Sequence, residues 1–147
     1  MVTAVAVMKK FAIIFGLLIV SCPADASRTV RARVGHVIDG DTFSGVVKLD
    51  GDVEISVRVR LRNVDTPEMN GECEYEKNRA MAAKDRLAQL IPEGSIVKLT
   101  NIKDDKYLGR IDANVIDANG EDVGNRLVRE GMGRQYHGGR RKPWCGK

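Results

Sequence analysis

Residues 53–62 read Val53-Glu54-Ile55-Ser56-Val57-Arg58-Val59-Arg60-Leu61-Arg62, the cleanest alternation in the chain. Val53, Ile55, Val57, Val59 and Leu61 fall on one side, and Glu54, Ser56, Arg58, Arg60 and Arg62 on the other. A period of two with a single apolar side is the pattern of a half-buried β-strand. Three arginines therefore share its polar face. Toward the N-terminus, Leu49-Asp50-Gly51-Asp52 is a hairpin signal. It joins this strand to an earlier one over Thr42 to Leu49, and residues 29–38 alternate as a first strand.

Toward the C-terminus the period changes. Ala80, Ala83, Leu87 and Leu90 or Ile91 recur at helical spacing within Glu72 to Ile91, and Pro92 follows. Ile96 to Ile102 and Arg110 to Asp117 read as two further strands, the second closed by Asn119-Gly120. Val123, Leu127 and Val128 form a short helix stopped near Gly131. Five strands with a helix between the third and fourth match the element order of an OB-fold barrel. The expectation is a mainly β fold: a five-stranded OB-fold barrel with two or three flanking helices. That class commonly binds oligonucleotides.

The chain has 147 residues, a formal charge of +4 and 43% hydrophobic residues, which suits one folded domain. A moderate basic excess is compatible with a polyanionic partner but does not specify one. Lys9-Lys10, the apolar run Phe11 to Val20, and Ala24-Asp25-Ala26 have the layout of a secretory signal. We therefore expect residues 1–26 to be a signal peptide and 27–147 the domain. The apolar run is too short for a comfortable membrane span. Met8 would make the better start, because Lys9-Lys10 would then lead the chain. Ile19-Val20-Ser21-Cys22 also fits a lipobox, so a lipoprotein anchored through Cys22 is the minority alternative to a periplasmic or secreted protein. Beyond Cys22, only Cys73 and Cys145 remain. In an exported chain such a pair reads as a disulfide; two unpaired thiols are the alternative.

Two acidic clusters stand out: Asp39-Gly40-Asp41-Thr42 and Val64-Asp65-Thr66-Pro67-Glu68. Their donors are all oxygen, which suits a hard cation such as Ca²⁺ or Mg²⁺. The first cluster alone reads as a turn, and Asp50-Gly51-Asp52 repeats its first three residues in a plain hairpin position. The second leaves the end of the arginine-bearing strand, and Pro67 fixes its turn. Its other reading is an acidic lead-in to the following helix. Arg60 lies five residues before Asp65, and Arg110 follows the polar loop Asp105-Lys106-Tyr107-Leu108-Gly109.

The order Asp-Gly-Asp-Thr at 39–42, Arg-x4-Asp-Thr-Pro-Glu at 60–68, Asp-Lys-Tyr-x-Gly-Arg at 105–110 and Leu-Val-Arg-x-Gly at 127–131 resembles the staphylococcal nuclease (thermonuclease) family. The resemblance runs from about residue 30 to 137. It implies that Asp41 and Asp65 hold Ca²⁺ with the Thr66 main-chain carbonyl, and that Asp39 supports them. It implies that Glu68 activates the attacking water and that Arg60 and Arg110 bind the phosphate. Tyr107, and with it Tyr136, would border the nucleotide. Ca²⁺ and two arginines would neutralise a phosphodiester and stabilise the charge added in its transition state. Arginine suits this because its fork holds two phosphate oxygens at once.

The chain departs from the family pattern in three places. Leu108 adds a residue to the usual Tyr-Gly-Arg spacing. The C-terminal region lacks a long final helix, and the tail tyrosines do not align cleanly. His36 and His137 read as surface residues. The resulting expectation is an exported, monomeric, Ca²⁺-dependent nuclease cutting DNA and RNA with low sequence specificity, with single-stranded or frayed substrates preferred. The rivals are a non-catalytic nucleic-acid-binding OB module, and an envelope interaction domain whose acidic loops are only turns.

Overall fold

The computed structural model describes residues 29–49, 52–106 and 108–146. The signal segment, Asp50, Gly51 and Tyr107 thus lie outside the described residues. Strands β1 (Val30–Asp39), β2 (Thr42–Lys48), β3 (Glu54–Leu61), β5 (Ile96–Asp104) and β6 (Arg110–Ile116) form a closed barrel in the order β1-β2-β3-β6-β5. Two short strands, β4 (Val64–Asp65) and β7 (Arg134–Gln135), pair with each other outside it. Helices α1 (Glu74–Leu90) and α2 (Val123–Arg129) complete the described elements. The barrel order is that of an OB fold, as expected, with two helices.

All barrel pairings are antiparallel except β3 with β6, which runs parallel from Arg58↔Arg110 to Leu61↔Ala113. A parallel pair needs a crossover, and the chain between β3 and β6 supplies it through α1 and β5. The core holds Val34, Phe43, Val59, Leu61, Leu99 and Val115 from the barrel. Leu87 and Ile91 plug it from the α1 side, and Leu127 from α2. Ala80 and Ala83 are fully buried on α1. Their small side chains let the helix lie close to the β1–β2 turn.

The alternation on β3 is only half realised as burial. Val59 and Leu61 are buried, but Val53 remains 53% exposed and Ile55 39%. At the other end the polar face is not solvated either: Arg60 is only 7% exposed.

Helix α1 starts two residues later than its periodicity indicates, at Glu74 after the N-cap position Cys73. Among the described residues, no helix is long and apolar enough to cross a membrane.

Candidate active site

Gly40 and Asp41 form the two-residue turn between β1 and β2, closed by the Asp39↔Thr42 pair. The first acidic cluster is thus a hairpin turn and a candidate site together. The Asp39 carboxylate accepts a hydrogen bond from the Asp41 backbone N–H at 3.1 Å, which sets the turn. The turn is pressed against its surroundings. A Cβ on Gly40 would come within 2.8 Å of Ala83 Cβ and 2.9 Å of Thr66 Oγ1. Only glycine permits this approach, and the approach brings the two acidic clusters together.

The Asp41 side chain is buried. Its Oδ1 accepts from Thr42 Oγ1 at 2.9 Å and its Oδ2 from Arg60 Nη2 at 3.3 Å. Loss of water raises the Asp41 carboxyl from the usual 3.8 to about 6; Arg60 opposes that rise and Asp39 adds to it. Arg60 also donates to the Val64 carbonyl at 3.0 Å, so its guanidinium ties the β1–β2 turn to the start of the second cluster.

Asp65 sits on β4, paired with Arg134 on β7. Its side chain is buried, at 3% exposure for the residue, and Oδ1 has no hydrogen-bond partner. Arg141 Nε approaches that oxygen to 3.2 Å without hydrogen-bond geometry. Thr66 is buried beside it. Glu68 is exposed at the rim, and its carboxylate bonds Arg141 Nη1.

Glu76, not singled out in the sequence, holds this loop from below. It is buried on the first turn of α1, and its carboxylate accepts from the backbone N–H groups of Glu68 and Glu72, each at 3.2 Å. The signal was available: Glu76 lies three residues past the N-cap, where a carboxylate can reach back over the helix start.

Arg110 opens β6 opposite Arg58, and its Nε donates to Asp105 Oδ2 at 2.7 Å. Leu108 turns outward at 98% exposure, and Gly109 takes φ +75° just before β6 begins at Arg110. A groove of about 590 Å³ is lined by Arg110, Arg58, Lys106, Glu68, Tyr136 and Arg141, together with Gly139. The adjoining groove brings in Arg60 and Asp112. Burial, and then a hydrogen bond with Asp105, raises the Asp112 carboxyl above its ordinary value.

Tyr136 belongs to the site. Its ring lies 6.0 Å from the Arg60 guanidinium and 5.8 Å from that of Arg141. His36 pairs with Ser44 on the surface, at 2.9 Å from Nδ1. Cys73 and Cys145 are disulfide-bonded, with Cα atoms 6.1 Å apart.

The structure therefore gathers Asp39, Asp41, Arg60, Asp65, Thr66, Glu68, Arg110 and Tyr136 around one end of the barrel. A family model described as staphylococcal nuclease homologue matches residues 58–143, more than half of the chain. The chain belongs to the staphylococcal nuclease homologue family. The match begins within β3 and ends two residues before Cys145, so it spans Arg60, the second cluster, Arg110 and the tail. The first acidic cluster lies before it, and joins the site through the Gly40 approach and the Arg60–Asp41 ion pair. No curated protein matches the chain. Family membership makes the domain a nuclease or a nucleic-acid-binding module.

The donor set fits a hard cation. Asp41 and Asp65 offer carboxylate oxygen from buried positions, and Thr66 offers main-chain oxygen. Asp65 Oδ1 accepts no hydrogen bond and faces the Arg141 guanidinium at 3.2 Å, so it already lies in a cation-seeking position.

Proposed function

We propose that this protein is an exported, Ca²⁺-dependent nuclease that hydrolyses phosphodiester bonds of DNA and RNA with low sequence specificity. The observation that carries the reading is the convergence at one barrel end of buried acids, a rim carboxylate and arginines. Asp41 and Asp65 are buried, Glu68 stands at the rim, and Arg60 and Arg110 line the adjoining groove. A non-catalytic OB module needs the basic groove but has no use for paired buried aspartates beside it.

Asp41, Asp65 and the Thr66 carbonyl would hold Ca²⁺, which supplies positive charge for the phosphate and its transition state. Arg110 lies on the groove wall with Glu68, where its guanidinium can take a phosphate oxygen. Arg60 fixes Asp41 and borders the adjoining groove. Glu68 is the exposed carboxylate of the set and can accept a proton from water at the rim. Low sequence preference follows from a groove that offers charge and a single described ring, Tyr136, rather than base-edge donors. The N-terminal pattern and the disulfide support export to an oxidising compartment.

Glu68→Gln tests the role of the base. General-base loss should lower kcat about 10²–10⁴-fold with little change in fold. Near wild-type cleavage of single-stranded DNA by the variant would remove Glu68 from that role.

A further inference from the structure

Arg141 lies in the C-terminal tail, 73 residues from Glu68, yet it reaches the centre of the site. Two anchors put it there. On one side, the β4–β7 ladder and Tyr136 hold the tail's start: Tyr136 N–H donates to the Asn63 carbonyl at 2.9 Å, and its hydroxyl to Gly139 O at 2.7 Å. Gly138 and Gly139, with φ of +101° and +87°, then turn the chain back. On the other side, the disulfide Cys73–Cys145 ties the tail to the start of α1, and Trp144 stacks 3.5 Å from the Arg134 guanidinium. Arg141 stands at the apex between these anchors.

There it faces both kinds of group. It pairs with Asp65 and Glu68, and it lines the groove shared by Arg58, Lys106 and Arg110. A divalent cation on Asp41 and Asp65 would compete with Arg141 for the Asp65 carboxylate. The guanidinium would then be left facing a groove whose other charged walls are three cations and Glu68. An anion is the complement to such a wall.

We propose that Arg141 is a substrate-binding residue of this site, a further phosphate-contacting cation placed by the disulfide-pinned tail. This rests on the nuclease reading above. It binds backbone phosphate, so it adds affinity without base preference.

The test is binding of a fluorescein-labelled phosphorothioate oligothymidylate, which resists cleavage, by anisotropy in Ca²⁺ across a salt series. Arg141→Ala should bind about tenfold more weakly, and its log K against log salt slope should fall by about 0.7, the value of one phosphate contact to a single strand. Arg141→Lys should recover part of both. Reducing Cys73–Cys145 in the intact protein should move the affinity toward that of Arg141→Ala. Arg31→Ala, at the far end of β1, should stay within about twofold. Unchanged affinity and slope in Arg141→Ala would overturn the proposal. Tighter binding would overturn it as well, making the tail a plug rather than a ligand-binding element. An equal loss in Arg31→Ala would reduce the effect to bulk charge and also overturn it. If the wild type cleaves DNA while Arg141→Ala binds as well as it does, this proposal fails alone. If the wild type neither binds nor cleaves, the nuclease reading fails and takes the proposal with it.

Discussion

Gly40 packs against Thr66 so closely that an added Cβ would sit 2.9 Å from the threonine hydroxyl and 2.8 Å from Ala83. Through this contact a routine hairpin turn becomes half of a site. Gly40→Ala must push the turn off the second cluster or shift α1. The strain should cost about 1–3 kcal/mol, as overpacking does. Asp41 would move away from Asp65, so Ca²⁺ affinity should fall further than stability does. Urea unfolding and calorimetric Ca²⁺ titration of the variant check both; unchanged Ca²⁺ affinity would show that the contact does not position the carboxylates.

Glu76 holds the Glu68 loop through two backbone N–H groups. Glu76→Ala leaves both without their acceptor and opens a gap beneath Gly71, which packs on this side chain. A loss of about 1–3 kcal/mol in stability is expected. A misplaced Glu68 should also lower kcat, by up to about 100-fold for a displacement near 1 Å. Glu76→Gln keeps an acceptor and should fall between. Steady-state kinetics with denaturant melts separates the two effects.

Asp41 gives a pH dependence of defined sign. Its folded value is raised from 3.8 to about 6, so the folded chain binds the extra proton more readily than the unfolded chain. Without metal, this group's contribution to stability is present below about 4 and is lost as pH rises through 6. Asp41→Asn should remove that decline in chelator. Proton and cation also compete for the carboxylate, so Ca²⁺ should bind more tightly above pH 6 than below it. Urea midpoints of wild type and variant across pH 4–7, with and without Ca²⁺, test both statements.

Glu130 works in the opposite direction. Hydrogen bonds from Arg86 of α1, and then from Arg126 of α2, hold its carboxyl down at about 2. The Arg86 bonds are 2.6 and 2.8 Å long and tie the two helices together. A depressed carboxyl stabilises above its unfolded value and loses that contribution as pH falls from about 4.5 toward 2. Glu130→Gln should therefore be less stable at neutral pH and converge with the wild type in acid. Because the ion pairs are partly solvated, high salt should shrink the difference.

The barrel was legible because its signals are local. Alternation over 53–62, helical spacing from Ala80 to Ile91 and turn residues between them fix the order of elements. Alternation shows which side of a strand is apolar, not how far the strand runs past the core, so Val53 and Ile55 come out exposed. Nor does it separate Arg60 from Arg58. The two share a face, but Arg60 is buried because Asp41 and Val64 close over it. The β4–β7 ladder is two residues long, too short for any period to register. In the sequence Arg141 is one of several tail cations, beside Arg134, Arg140 and Lys142. Its position depends on two glycines, a tyrosine and a disulfide spanning 72 residues, a tertiary outcome that no local pattern encodes.

The central claim is that the buried aspartates hold Ca²⁺ for phosphodiester hydrolysis. The most direct measurement incubates residues 27–147 with single-stranded DNA in Ca²⁺, and then in excess chelator, following the shortening of the strand. Cleavage in Ca²⁺, none in chelator, and restoration when Ca²⁺ is returned are the expected results. No cleavage in either condition, or equal cleavage in both, would contradict the claim.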